Sequence, residues 1–260
     1  MITLTVLTAD FGGFPAGLRA HPLLVEKAAK LLRAEHGKRI IDSFTTRAGG
    51  RLASVFTSAG EDGAVCVVDD LCAACRIVSG EIGLSGSGGA EAVSLTFEER
   101  PGEAVLVFLS AGAAPNVWGM PLCRIFADPF TSPALVREPL MCGGFSFTCD
   151  DGSVFATPVE ICGLLSHLEG GRLPVRVERQ DRLPAAAAGR GPDPALILRA
   201  GEGLPVAREA IVAAAGNGLM AVSLCDMSPI CPKTACLGFS IHDGMLIGPA
   251  DLYDDPVFGR

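Results

Sequence analysis

The sequence predicts an α+β protein in which antiparallel sheets pack under helices, and three observations point to it. Strand-like runs come in pairs joined by turn residues, single helix-period segments separate the pairs, and 260 residues at 49% apolar can bury a sizeable core. A doubly wound parallel sheet would instead alternate one strand with one helix.

The elements follow in order. Met1 to Thr8 alternates apolar and polar residues as a first strand and runs into a loop at Gly12-Gly13. Pro22 opens a helix carrying Leu23, Leu24, Lys27, Ala28, Leu31 and Leu32 at helical spacing, where its missing N–H costs nothing. Ile40 to Thr46 and Leu52 to Thr57 read as a hairpin about Gly49-Gly50, followed by a helix over Ala64 to Val78. After the Gly-rich stretch Gly83 to Gly89, Ala92 to Glu98 and Ala104 to Ser110 read as a second strand pair about Pro101-Gly102. Gly144 to Thr148 and Ser153 to Ala156 form a third hairpin, and a helix starts near Pro158 and stops before Gly170-Gly171. Arg182 to Pro194, full of breakers and without periodicity, reads as a shortened loop. A helix over Val206 to Ala215 precedes a last hairpin, Ala235 to Ile241 and Met245 to Ile247, about His242-Asp243-Gly244.

Composition excludes several classes. A formal charge of -8 opposes nucleic-acid binding, which needs clustered Lys and Arg. No apolar run approaches the ~20 residues of a membrane helix, and Ala104 to Leu109 reads as a buried strand. The N-terminus has no basic region ahead of an apolar one, so a cytoplasmic protein is expected. The ten cysteines read as buried hydrophobes, with a metal or redox site built from Cys72, Cys75 and the Cys225, Cys231, Cys236 group as the sharper alternative. His21, His36, His167 and His242 are scattered and suggest no catalytic triad.

Three blocks carry a family resemblance. They are Ala9 to Gly13 with His21-Pro22; Pro121 to Phe130 continuing to Met141 through Phe145; and Leu237 to Gly244 with Gly248 to Pro256. In order and spacing they resemble the archaeal-type fructose-1,6-bisphosphate aldolase/phosphatase family along nearly the whole chain. The resemblance implies a four-layer α-β-β-α sandwich with mainly antiparallel sheets, a single domain over residues 1–260 without the family's C-terminal tail, and a homo-oligomer. It also implies a Mg²⁺ cluster that binds a sugar bisphosphate, and a Lys that forms a Schiff base for the aldolase half of the chemistry.

Against that pattern Asp10 and Asp193 stand as the metal-ligand candidates. Each has an alternative reading as a loop aspartate that holds a turn. Gly17 falls where the family places a metal-binding His, Gly50 and Arg51 fall on an adjacent Asp pair, and Ala111 falls on a third Asp. Of the Schiff-base motif only Asp193-Pro194 is recognisable. The lysines are Lys27, Lys30, Lys38 and Lys233, the one tyrosine is Tyr253, and the one glutamine is Gln180. The expectation is a divergent relative that binds a sugar phosphate, with Mg²⁺-dependent phosphatase activity weak or lost and no aldolase activity. The alternative is a non-catalytic regulatory or interaction module. Asp128 and Asp254-Asp255-Pro256 read as fold determinants, and Gly143-Gly144 either lets backbone N–H groups approach an anion or serves hairpin entry.

Overall fold

Alternation along the strands builds the layers. The computed structural model describes residues 1–13, 17–215 and 218–254. In β1 (Ile2–Ala9), Leu4 and Val6 join one apolar cluster while Leu7 and Ala9 join another on the opposite face. The same split recurs in β3 (Arg51–Ser58), with Ala53 and Val55 on one side and Leu52 and Phe56 on the other. These strands and β2 (Asp42–Ala48) and β4 (Ala90–Phe97) form a four-stranded antiparallel sheet in the order β2-β3-β1-β4.

Helices α1 (Pro22–Glu35) and α2 (Glu61–Glu81) cover the outer face of that sheet through Leu24, Ala28 and Leu32, and through Val67, Leu71 and Cys75. Pro22 sits in the first turn of α1, and the His21 ring accepts a hydrogen bond from Leu23 N at 3.3 Å.

The second sheet has nine strands: β5 (Ala104–Ala111), β6 (Phe145–Cys149), β7 (Val154–Ala156), β8 (Pro174–Arg179), β9 (Pro184–Ala188), β10 (Leu196–Ala200), β11 (Met220–Ala221), β12 (Lys233–His242) and β13 (Met245–Asp251). Its order is β11-β12-β5-β10-β9-β8-β6-β7, with β13 also on β12, and only the short β11–β12 pairing is parallel. Val105, Val107, Leu109, Ile197, Leu237 and Phe239 meet the first sheet. Leu106, Phe108, Leu196, Leu198 and Cys236 point the other way, toward α3 (Gly119–Ala127), α5 (Ile161–Glu169) and α6 (Ala207–Ala215). A four-residue helix, α4 (Ala134–Arg137), lies between α3 and β6. Helix, sheet, sheet, helix is the layering the resemblance implies. Each fully buried Leu, Val or Phe contributes roughly 1.5–3 kcal/mol, so the three apolar seams between layers hold the fold.

Two sequence readings need correction. Ala92 to Glu98 and Ala104 to Ser110 are strands, but they do not pair with each other: β4 joins β1 and β5 joins β10 and β12. The Pro101-Gly102 turn therefore carries the chain from one sheet to the other. The segment Arg182 to Pro194 is not simply a loop, since Pro184–Ala188 is an interior strand between β8 and β10. Pro184 stands at its first position, where a proline is tolerated, and the following alanines are buried, Ala187 toward the first sheet and Ala185, Ala186 and Ala188 in the cluster on the helix side. Residues 255 and 256 of the last resemblance block lie outside the described residues.

Among the described residues no helix is long and apolar enough to cross a membrane.

Candidate functional site

At one end of the seam between the sheets the apolar core ends in a polar cavity of about 200 Å³. Its walls come from strand ends and loops: Asp10 just after β1, Gly50 and Arg51 at the β2–β3 turn, Ala111 at the end of β5, Asp193 before β10, and Pro229 before β12. Gly12, Gly17 and the α2–β4 loop residues Ser85, Gly86 and Ser87 complete it. Every position the resemblance singles out for metal binding, namely Asp10, Gly17, Gly50, Arg51, Ala111 and Asp193, lines this one cavity.

Asp10 is fixed through both carboxylate oxygens. Oδ1 accepts from Gly12 N at 3.0 Å and Oδ2 from Ser87 N at 2.9 Å. Its backbone donates to Gly89 O and accepts from Gly88 N, both at 2.9 Å, so the 85–89 loop is laced onto the end of β1. The approach is close enough that a Cβ on Gly86 would lie 2.2 Å from Gly12 N. Burial pushes the Asp10 carboxyl up, but the hydrogen bonds from Ser87 and Gly12 and the charge of Arg51 outweigh it and hold the group below the usual carboxylate range.

Asp193 sits in the left-handed region (φ 52°) and is clasped to Ala113. Its Oδ1 accepts from Ala113 N at 2.7 Å and its own N–H donates to Ala113 O at 3.3 Å. The following carbonyl, of Pro194, accepts from Ser110 Oγ and Trp118 Nε1, both at 2.8 Å. Burial pushes the Asp193 carboxyl above its ordinary range, only partly offset by bonds from Ala113 and Gly112 and by Arg51. Both aspartates thus hold their loops, as the alternative reading has it, and both also face the cavity.

Arg51 lies on the interlayer face of β3 and is buried, with 8% of its surface exposed. Its Nη2 donates to Gly89 O at 3.3 Å, and its Nε is buried without a partner. Two further orphan atoms, Thr8 Oγ1 and Glu91 Oε2, sit on directly opposed residues of β1 and β4 near the same end. Serines 85 and 87 and Pro229 escaped sequence reasoning: a Gly-Ser run shows that a chain can turn, not what it turns around.

The remaining candidates resolve structurally. Asp128 accepts from Phe130 N and Thr131 Oγ1 as a turn cap. Gly144 (φ 84°) is needed because a Cβ there would lie 1.8 Å from Thr157 O. The Tyr253 hydroxyl donates to Ile211 O, and burial pushes its pKa up. Cys72 and Cys75 lie in the helix layer of the first sheet and Cys236 in that of the second, so two sheets separate them. All ten thiols are free, and the described residues contain no group of three or more His, Cys, Asp or Glu suited to hold a metal ion. Asp151, His167 and Phe155 form a partly exposed cluster, and His36 pairs with Ser43, but neither histidine pairs with both an acid and a nucleophile.

Lys233 does not line the cavity. Its Nζ donates to Asp226 O at 3.0 Å and Ser228 Oγ at 3.3 Å.

Comparison with known proteins bears on the family. A family model described as fructose-1,6-bisphosphatase matches residues 68–154. A fructose-1,6-bisphosphate aldolase/phosphatase from Pyrobaculum neutrophilum is 31% identical over 324 aligned residues, covering 99% of this chain and 81% of that protein. Proteins of the same description from Ignicoccus hospitalis and Moorella thermoacetica are each 28% identical, over 98% and 100% of this chain. The 324-residue alignment exceeds this chain's 260 residues, so the relative carries internal segments with no counterpart here.

Proposed function

Since the chain belongs to the fructose-1,6-bisphosphate aldolase/phosphatase family, we propose that it is a divergent, sugar-phosphate-binding member with Mg²⁺-dependent phosphatase activity weak or lost and no Schiff-base aldolase activity. The observation that carries this reading is the lining of the cavity: two carboxylates, two serine hydroxyls and a guanidinium, with Gly17, Gly50 and Ala111 offering no side-chain donor. Mg²⁺ demands near-octahedral oxygen coordination, and its role in phosphate hydrolysis is to offset charge and orient water. Asp10 already spends both oxygens on backbone N–H groups, and Asp193 spends one. A buried cation among these donors opposes a second one. The donor set therefore does not fit a catalytic Mg²⁺ cluster.

The aldolase half fails for want of an amine. An imine needs a lysine at the carbonyl, and no lysine lines the cavity.

The test is phosphate release from fructose 1,6-bisphosphate at millimolar Mg²⁺, beside Asp10→Ala, with borohydride trapping of triose phosphates as the aldolase arm. Binding without turnover and without a trapped adduct is expected. Turnover that disappears in Asp10→Ala, or a trapped lysine adduct, would overturn the reading.

An apolar surface favours the interaction alternative as a companion role. Phe130, Val136 and Val159 are 94%, 65% and 88% exposed, beside a cavity of about 260 Å³ lined by Phe126, Leu135, Met141 and Pro158. We place a homo-oligomer contact there. Phe130→Glu should lower the mass measured by light scattering, and an unchanged mass would remove this surface from the contact.

A further inference from the structure

We propose that Arg51 is the phosphate receptor of this cavity and that it binds a phosphate ester without a metal ion. The inference rests on the sugar-phosphate reading above and goes beyond it by naming the cation.

Arg51 is more than nine-tenths buried, yet its guanidinium is poorly satisfied: one long bond to Gly89 O, and Nε with no partner. A guanidinium carries five donors in a planar fork. Leaving them unfilled in a buried site costs free energy, whereas a phosphate oxygen pair fills them with charge-assisted bonds. The fork also stands at the position where the resemblance expects anionic metal ligands, so a cation built into the chain occupies the place of a bound one.

The surroundings suit an ester rather than a free anion alone. Ser85 and Ser87 bring hydroxyl groups to the wall, while the Asp193 carboxylate, with lone pairs beyond its backbone bonds, can accept from a sugar hydroxyl. The two aspartates would repel a bare anion, which favours a ligand whose phosphate meets Arg51 and whose hydroxyls meet the carboxylates. The volume of about 200 Å³ is below the ~300–1,000 Å³ of sites that enclose a whole small molecule. The cavity thus takes one phosphate-bearing end, and the remainder of the ligand stays outside.

The experiment is calorimetric titration of the full chain with fructose 1,6-bisphosphate, and separately with inorganic phosphate, once in EDTA and once in millimolar Mg²⁺. We expect affinity for the ester to be the same within about twofold in both buffers, inorganic phosphate to bind more weakly, and Arg51→Met to lose at least about tenfold. Arg51→Lys keeps the charge without the fork and should fall between. If Arg51→Met fails to fold, the wild-type comparison between EDTA and Mg²⁺ still decides. Binding that requires Mg²⁺, or that survives Arg51→Met in EDTA, overturns the assignment while leaving a sugar-phosphate site. Inorganic phosphate binding as tightly as the ester would overturn the ester preference. No binding in either buffer would remove the sugar-phosphate reading itself.

Discussion

Replacing Gly86 by Ala tests whether the loop bearing Ser85 and Ser87 is clamped against the end of β1. The new Cβ would lie 2.2 Å from Gly12 N, 2.5 Å from Phe11 C and 2.8 Å from Asp10 O, where ordinary contacts are 3.4–4 Å. All three atoms are backbone, so no side chain can swing aside, and the two segments must part by about 1 Å. Parting them stretches three bonds now at 2.9 Å: Asp10 N to Gly89 O, Gly88 N to Asp10 O, and Ser87 N to Asp10 Oδ2. At about 1 kcal/mol net for each bond, the cost is roughly 3 kcal/mol, in line with overpacking elsewhere. For a chain of this size that lowers the melting temperature by roughly 6–12 °C. Urea and thermal denaturation followed by circular dichroism measure it. Gly80→Ala is the control of opposite sign: Gly80 lies on the exposed side of α2 with nothing near its Cβ position, so alanine should add roughly 0.5–1 kcal/mol. A Gly86→Ala protein within about 0.5 kcal/mol of wild type would refute the clamp and the shape of the cavity wall built on it.

The two site aspartates should give opposite pH signatures. Asp10, held below its ordinary range, contributes stability that is full at neutral pH and lost as pH falls through its lowered pKa, so Asp10→Asn should cost stability at pH 7 and progressively less in acid. Asp193, pushed up by burial, works the other way: the folded state holds its proton more tightly, and stability declines as pH rises through the raised pKa. Asp193→Asn should therefore melt higher than wild type at pH 7, with the gain vanishing in acid, and a lower melting point at pH 7 would contradict that assignment. In the core, Glu103 pairs with the fully buried Arg199, whose guanidinium also sits 4.4 Å over the Phe97 ring and donates to Pro184 O. Glu103→Ala strands that charge and should cost roughly 3–5 kcal/mol by urea denaturation; a loss under about 1 kcal/mol would mean that the carbonyls alone satisfy Arg199. Gly50→Asp, which returns a carboxylate to a lost position, should lower the melting temperature without recovery in Mg²⁺, and recovery would reverse the argument on metal fit.

Local chemistry was the legible part of this sequence. Pro22, the Gly49-Gly50 turn and the His242-Asp243-Gly244 turn mark element ends by rules that act within a few residues, and the structure has α1, the β2–β3 hairpin and the β12–β13 hairpin at those places. Partner choice was not legible. The residues of β4 and β5 state that each is a strand, but nothing within either states that the turn between them crosses from one sheet to the other. The alanines of β9 hid a buried strand, because small side chains of one kind give no period along the chain. At the site, Asp10 and Asp193 could be picked out through the resemblance. The role of Arg51 could not, since its unfilled donors are a property of what surrounds it in space.

The two glycines at the site are coupled to one another. A Cβ on Gly50 would lie 2.0 Å from Gly17 O, so the two positions at which the resemblance expects side-chain ligands now meet backbone to backbone. Ala20 N donates to Gly49 O at 3.0 Å, which ties the end of that loop to the same hairpin turn. The main chain at Gly17 occupies the space that a side chain at Gly50 would need, and Arg51 lines the cavity beside it. A carboxylate restored at one position must displace a carbonyl contributed by the other. On the reading proposed above the cavity is closed around its own cation, and that arrangement accounts together for both glycines and for the arginine beside the two aspartates.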